Sequence, residues 1–203
     1  AYVGYWGEVG VQEVALNGER VWANRKIPNV QKMAVTAPGD GGARRLLCVN
    51  VTSTLTVLDS QGNLKPPIAL GDRLLGWIAA ADLDGNGRMA YCGLAAETLG
   101  ENEAIGLAID GGSARVVWTY RLPDGVGRQP VEPVVPGRLT AEGPSQWLLP
   151  GPDGSIHVLQ ADGKLLDSFN CGIAIQGLAT TEINGKPALL VSTAEGVTAW
   201  GVE

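Results

Sequence analysis

The residue pattern best suited to metal chemistry in this sequence is an acidic, glycine-rich turn at residues 82–87. Asp82, Asp84 and Asn86 stand at alternate positions, and Gly87 follows them. Carboxylate and amide oxygens at this spacing are ligands for Ca²⁺, and the glycine permits a sharp turn. The later ligand positions of a calcium loop hold alanine and glycine instead of acids. The pattern therefore predicts a weak Ca²⁺ site at most. The alternative is a hairpin turn capped by its own Asp and Asn side chains.

Residues suited to other catalytic chemistry are few. The single histidine, His157, alternates with apolar residues in a strand-like segment, and no nucleophile or acid stands out as its partner. The three cysteines, Cys48, Cys92 and Cys171, show no CxxC spacing and cannot all pair within one chain. We expect them to be small buried side chains. The sequence therefore predicts no catalytic residue.

The elements that would position these residues follow from an internal repeat. Five segments share an apolar strand, a polar turn with glycine or asparagine, and often a second strand. Their anchor residues are Leu16, Leu58, Ile109, Leu159 and Trp200, which gives steps of 42, 51, 50 and 41 residues. A period in the forties, built from short strands and tight turns, is typical of a β-propeller. The predicted fold class is therefore all-β, a β-propeller of four-stranded antiparallel blades.

Aligning the repeats predicts a single propeller domain over residues 1–203 with about four to five units. The Asn-Gly, Asp-Gly and Gly-Gly turns favour short hairpins, and one meander cannot bury both of its faces, so blades must stack. The first unit lacks a clear first strand and the last lacks a fourth. The ends either close a ring together or are the edges of a larger ring. The approximate units are 1–29, 30–72, 73–125, 126–172 and 173–203.

Two parts of the repeat resemble known propeller families. Residues 16–22 and 109–118, each ending in tryptophan, are similar to the Ala-x-Asp-x-x-x-Gly-x-x-x-Trp repeat of quinoprotein-like propellers. Residues 80–87 are similar to the Asp-x-Asp-Gly-x-Gly loop of FG-GAP and VCBS-type repeats. The resemblance implies a bacterial, extracytoplasmic protein, periplasmic or secreted. Quinone-dependent catalysis is not expected, because such enzymes use adjacent cysteines and a Glu, Asn and Asp cluster that do not stand out here.

The two long central repeat steps indicate where a binding surface would lie. The extra residues are 94–103, between the second and third strands of one blade, and 123–130, between that blade and the next. In an up-and-down blade both insertions emerge at the same end, and clustered insertions often mark a binding face. Unselected loop growth is the alternative. The candidate binding residues are Glu97, Glu101, Asn102, Glu103, Asp124, Arg128 and Gln129.

Composition limits the class of partner. The net charge is -6 with one histidine, and the basic residues do not cluster, which argues against nucleic-acid binding. No apolar run approaches the length of a membrane span. The sequence therefore predicts a non-catalytic binding or scaffold module without a tightly bound cofactor. Its partner would be a protein, a carbohydrate, or further blades from the same or another chain. The alternative is a propeller-based enzyme such as a polysaccharide lyase or hydrolase.

Overall fold

A computed structural model of the chain describes residues 1–36, 44–68, 70–71, 73–97, 101–110, 113–124, 133–140 and 142–201. For residues 96, 97, 101, 102 and 110 it describes the backbone only. Within these residues every regular element is a β-strand, and all pairings between consecutive strands of a sheet are antiparallel. The predicted fold class is confirmed. No helix in the described part of the chain is long and apolar enough to cross a membrane.

The strands form five sheets in chain order, which we call blades 1 to 5. Blade 1 comprises β1 (Tyr2–Gly4), β2 (Val11–Val14) and β3 (Arg20–Asn24). Blade 2 comprises β4 (Val30–Val35), β5 (Leu46–Asn50) and β6 (Leu55–Leu58). Blade 3 comprises β7 (Leu74–Ala81), β8 (Ala90–Glu97), β9 (Glu101–Asp110) and β10 (Ser113–Arg121). Blade 4 comprises β11 (Val135–Gly137), β12 (Gln146–Pro150), β13 (Ser155–Leu159) and β14 (Leu165–Asn170). Blade 5 comprises β15 (Gly177–Ile183), β16 (Lys186–Thr193) and β17 (Gly196–Gly201).

The blades stack side by side through their innermost strands. The strands β4, β7, β11 and β15 contact one another in that order, and β1 contacts β4. Each of β4, β7, β11 and β15 is the first strand of a blade, whereas β1 corresponds to the second strand of a four-stranded blade. The register places β1, β2 and β3 as the second, third and fourth strands of a blade. The reason is that Trp22 on β3 occupies the outermost position that Trp118 occupies on β10.

Four apolar cores lie at the four junctions between consecutive blades. Leu46 and Cys48 belong to the core between blades 1 and 2, and Ile78 belongs to the core between blades 2 and 3. Trp147, fully buried, lies between blades 3 and 4, and Leu189 lies between blades 4 and 5. Successive side chains of a strand point to opposite faces of its sheet. Blades 2, 3 and 4 therefore pack one face against the preceding blade and the other face against the following blade.

Two junctions are fastened by a tryptophan that lies on a glycine turn of the next blade. The indole N–H of Trp22 donates to the carbonyl of Ser60 at 3.2 Å, and that of Trp118 donates to the carbonyl of Ala161 at 2.9 Å. Trp22 packs on Gly62, and Trp118 packs on Gly163. Trp22 and Trp118 therefore each pack one blade against the next. The rings fit because neither glycine carries a Cβ in the space that the indole fills.

The ends of the arc lack a junction of this kind. No described cluster of buried side chains lies between blades 5 and 1. Val21 on the free side of blade 1 is 59% exposed, and Val197 on the free side of blade 5 is 70% exposed. Ala80 lies on β7, the innermost strand of blade 3, and is half-buried.

Substitution of Gly163 tests the tryptophan contact. Gly163 and Gly185 both have positive φ, 82° and 74°, so alanine costs about 1–2 kcal/mol at either position. A Cβ at Gly185 meets nothing, whereas one at Gly163 overlaps the Trp118 ring. We expect Gly163→Ala to lower the free energy of unfolding in urea by about 1–3 kcal/mol more than Gly185→Ala. Equal losses in the two variants would contradict the contact.

Candidate functional site

The acidic turn at residues 82–87 is a self-capped hairpin turn between β7 and β8. The Asp82 carboxylate accepts the backbone N–H groups of Asn86 at 3.1 Å and of Gly87 at 2.8 Å. The Asn86 side-chain oxygen accepts the backbone N–H of Arg88 at 2.9 Å. Asp84 is exposed, and its carboxylate lies 3.5 Å from the Asn86 amide nitrogen. The predicted ligands are adjacent, but Asp82 and Asn86 already serve as acceptors for the turn backbone.

The first predicted insertion, 94–103, lengthens two strands. β8 continues to Glu97 and β9 begins at Glu101, and these two residues pair across the hairpin. A loop is therefore the wrong expectation for most of this segment, because continued cross-strand pairing and burial of Ala95 extend the sheet. Glu103 forms an ion pair with Arg73 at 3.2 Å, so its charge is already matched. The side chains of Glu97, Glu101 and Asn102 are outside the described residues.

The second predicted insertion lies between blades 3 and 4. Asp124 is exposed and forms an ion pair with Arg121 at 3.5 Å. Arg128 and Gln129 lie outside the described residues. The register puts the end of β8, the start of β9 and the end of β10 at the same end of blade 3, which we call the insertion end. Their role in binding stays a prediction.

His157 lies in a chain of hydrogen bonds that links blade 3 to blade 4. Its Nδ1 is 2.8 Å from the Tyr120 hydroxyl on β10, and its Nε2 is 2.7 Å from the Ser155 hydroxyl. The Ser155 hydroxyl donates to the Asp153 carboxylate at 2.5 Å. This direction makes Nε2 the protonated nitrogen, so Tyr120 donates to Nδ1. Ser155 is 6% exposed and His157 8% exposed, whereas Tyr120 is half-buried and Asp153 is exposed.

Burial and the hydrogen bonds of this cluster shift the pKa values of His157 and Asp153. Burial lowers the pKa of His157, and the nearby Asp153 charge offsets only part of that effect. Burial also raises the pKa of Asp153, but hydrogen bonds from the Ser155 hydroxyl and amide and the charge of His157 outweigh it, and the net pKa lies below its ordinary value. The folded protein therefore favours neutral His157 beside an ionised Asp153. We interpret this cluster as a polar fastening between blades.

The cysteine thiols are unsuited to nucleophilic chemistry. Cys48 and Cys92 are buried and unpaired, and Cys171 is half-buried and unpaired. Burial raises the pKa of Cys48 to about 12 and raises the pKa values of the other two thiols. Since the thiolate is the reactive form, these side chains stay inert at neutral pH.

Three cavities that share lining residues lie along blade 4, and we call them together the seam groove. Two of them lie at the junction between blades 4 and 5, and one lies beside Asp84 of blade 3. The first, about 700 Å³, is lined by Leu139, Thr140, Val158, Leu166, Asp167, Phe169, Leu189, Trp200 and Gly201. The second, about 430 Å³, shares Thr140 and Leu166 with the first and adds Asp84, Pro144, Ser145, Gln146, Gln160, Ala161 and Asp162. The third, about 360 Å³, shares Trp200 with the first and adds Cys171, Ile173, Val191, Thr193, Glu195, Gly196, Val197 and Thr198.

The groove exists because the tryptophan fastening is missing at this junction. In blade 1, Glu13 pairs with Trp22 just beyond a β-bulge, and in blade 4, Val158 pairs with Asp167 at the same register. Asp167 therefore stands where the indole stands in blade 1. The aromatic contact across the seam is instead made by Phe169 and Trp200, whose ring centroids lie 5.2 Å apart. A short polar side chain leaves open the space that an indole would fill.

The groove combines apolar walls with negative charge. Its apolar lining includes the exposed side chains of Leu166 and Trp200 and the half-buried ring of Phe169. Its charged lining residues are Asp84, Asp162, Asp167 and Glu195, and none of the lining residues is Lys, Arg or His. Asp162 forms an ion pair with the exposed Lys164 at 2.6 Å. A pocket of this kind suits an apolar side chain next to a positive charge.

The fold is that of several solved structures. The chain resembles BBS1N, solved in complex with ARL6DN, over 94% of its length at a TM-score of 0.62 and 16% identity. It resembles BamB from Moraxella catarrhalis over 95% of its length at 0.56 and 19% identity. It resembles Saccharomyces cerevisiae Sqt1 over 97% of its length at 0.66 and 11% identity. The likeness shows a β-propeller fold.

These similarities do not extend to a named family. No family model and no curated protein matches the sequence. The chain spans 57% of the BBS1N chain, 55% of the BamB chain and 54% of the Sqt1 chain. The propeller part of the predicted resemblance is therefore shown, and the quinoprotein-like or FG-GAP subtype stays a prediction.

The sequence predictions include neither the seam groove nor the hydrogen-bonded chain from Tyr120 to Asp153. The signal for the groove was present, because Asp167 follows Gly163 by four residues as Trp22 follows Gly18. A break in a repeated packing residue marks a junction that packs differently. The partner of His157 could not be found in this way, because Tyr120 lies 37 residues earlier and meets it only through blade stacking.

The titration of His157 gives a testable pH dependence. In the unfolded chain His157 takes up a proton near its ordinary pKa of about 6.5, whereas in the folded protein the pKa of His157 is lower. The stabilisation is therefore fully present above about pH 6.5 and is lost as the pH falls through the lower pKa of the folded state. Between about pH 7.5 and about pH 5, we expect the urea midpoint of the native protein to fall more than that of His157→Gln. Parallel profiles would contradict this assignment.

Proposed function

We propose that this chain is a protein-binding propeller module whose ligand site is the seam groove between blades 4 and 5. The observation that carries the proposal is the run of three cavities that share lining residues, with Leu166 and Trp200 exposed in the lining beside carboxylates and with no basic lining residue. Grooves with a few placed polar groups on apolar walls are the usual form of a binding site. The partner is a polypeptide segment with apolar and basic side chains.

Several observations favour this site over a catalytic one. The Ser155 and His157 side chains are buried, and burial raises the pKa values of the cysteine thiols. The groove, in contrast, exposes Leu166 by 50% and Trp200 by 38%. Large apolar side chains that are exposed beside a cavity are hydrated unfavourably, and a partner that covers them removes this hydration. Among the fold neighbours, BBS1N was solved bound to another protein, ARL6DN.

The free faces of the outer blades enter the same proposal. Blades 2, 3 and 4 pack both faces against neighbouring blades. The outward faces of blades 1 and 5 carry exposed apolar residues such as Val21, Ile183 and Val197. We propose further blades of the same kind as the occupants of these faces. The insertion end, with Glu101 and Asp124, is the second candidate surface for a protein partner, in an extracytoplasmic setting.

A matched pair of leucines tests the groove. Leu165 and Leu166 are adjacent on β14 and 48% and 50% exposed, but only Leu166 lines the groove. Peptides are selected from a random phage-displayed library against the native protein. We expect Leu166→Glu to weaken their binding about tenfold or more. A bound peptide would cover the new carboxylate, which would lose its hydration next to the like charge of Asp167. Leu165→Glu should change binding by less than about twofold.

The outcomes separate the candidate surfaces. Equal effects of the two glutamate variants, or no selected peptide, would overturn the groove. Peptides that bind normally to Leu166→Glu but fail to bind after residues 97–101 are shortened would place the site at the insertion end. Binding of a neutral oligosaccharide that Leu166→Glu abolishes, without any peptide binding, would assign the groove to carbohydrate.

A further inference from the structure

The second cavity of the seam groove lies where three connections of blades 3 and 4 meet. Asp84 comes from the connection between β7 and β8, Ser145 from that between β11 and β12, and Gln160 from that between β13 and β14. The backbone N–H of Ser145 donates to the carbonyl of Leu83 at 2.7 Å, next to Asp84. The indole of Trp118 on β10 donates to a carbonyl of the third connection at 2.9 Å. Hydrogen bonds between the two blades therefore hold these connections together, and every lining residue of the cavity belongs to blade 3 or blade 4.

Three side chains of this cavity have hydrogen-bond acceptors that the protein leaves free. Within the described residues, the Asp84 carboxylate forms no ion pair, and its one hydrogen bond is a long contact of 3.5 Å with the amide nitrogen of Asn86. The Ser145 hydroxyl and the Gln160 side-chain amide have no partner among the same residues. Ser145 is half-buried, and Asp84 and Gln160 are exposed, so a ligand can reach all three.

Two other polar side chains of the cavity are already matched. Asp162 forms its ion pair with Lys164 at 2.6 Å. The buried Gln146 side chain accepts a backbone N–H at 3.1 Å and donates to a backbone carbonyl at 2.6 Å. Asp84 is therefore the carboxylate of this cavity whose charge no described residue balances. A ligand that complements the cavity must bring a positive charge and several hydrogen-bond donors.

A guanidinium group matches these acceptors better than an ammonium group does. The guanidinium carries five N–H donors in one plane, so it can bind a carboxylate with two hydrogen bonds and keep donors for hydroxyl and amide oxygens. Its stem packs on apolar surface, which Leu166 and Pro144 supply in this cavity. A lysine ammonium has only three donors and is more strongly hydrated, so it gains less from the same site.

We infer that the second cavity binds an arginine side chain of the partner polypeptide, with Asp84 as the carboxylate that holds the guanidinium group. This inference rests on the proposed function and specifies which basic side chain the groove recognises and where. Leu166 lines both the first and the second cavity, so the arginine lies next to the apolar side chain that enters the first. Asp167 lines the first cavity only, so its carboxylate is not the one that the guanidinium meets.

A small probe tests this assignment on the native protein. The probe is Nα-acetyl-arginine amide, titrated into the ¹⁵N-labelled protein and followed by NMR. Its control is Nα-acetyl-citrulline amide, which has nearly the same shape without the charge. We expect the arginine probe to shift the amide signals of Asp84, Ser145 and Gln160 with a Kd of about 1–10 mM, as suits so small a ligand. The citrulline probe should bind about tenfold more weakly or not at all.

A matched pair of aspartates locates the charge that binds. Asp84 and Asp167 are both exposed and line different cavities, so Asp84→Asn and Asp167→Asn remove the same charge from the second and the first cavity. We expect Asp84→Asn to weaken binding of the arginine probe about fivefold or more, and Asp167→Asn to leave it within about twofold. Nα-acetyl-lysine amide should bind the native protein several-fold more weakly than the arginine probe.

The outcomes separate this inference from the proposed function. Absence of shifts at Asp84, Ser145 and Gln160, equal binding of the citrulline probe, or unchanged binding to Asp84→Asn would overturn the arginine site. Equal binding of the lysine probe would overturn the choice of arginine. Selected peptides that lose binding with Leu166→Glu but not with Asp84→Asn would leave the groove standing and remove this inference. Binding of the arginine probe without any selected peptide would keep the arginine site and remove the peptide groove.

Discussion

The structure depends on the inability of one antiparallel sheet to bury both of its faces. Each blade is stable only where a neighbour covers it, and four apolar cores meet that need at the four junctions of the arc. Two of these junctions also use an indole, Trp22 or Trp118, seated on a glycine turn of the next blade. At these two junctions the indole couples one blade to the next at the outer edge, where the cores end.

The candidate site arises where this coupling changes. Asp167 stands between blades 4 and 5 at the register position that Trp22 and Trp118 occupy in blades 1 and 3. This change leaves an apolar space beside a carboxylate, which suits an apolar side chain next to a positive charge.

The repeat period and turn chemistry were sufficient to predict the fold class, because Asn-Gly and Asp-Gly turns encode local hairpins and the spacing of about 41 to 51 residues encodes the blade. The lengths of β8 and β9 were not predictable in this way, since their pairing beyond Ala95 depends on cross-strand contacts. Contacts between blades were the least predictable. The link from Tyr120 to His157 joins residues whose proximity only stacking creates.

The central claim is that the seam groove receives a polypeptide segment with apolar and basic side chains. NMR of the tryptophan indole N–H groups tests it most directly, because Trp200 lines the groove whereas the indoles of Trp22 and Trp118 donate to carbonyl groups at other junctions. The account predicts that a selected peptide shifts the Trp200 signal and leaves the signals of Trp22 and Trp118 unchanged. An unchanged Trp200 signal with the peptide bound would contradict it.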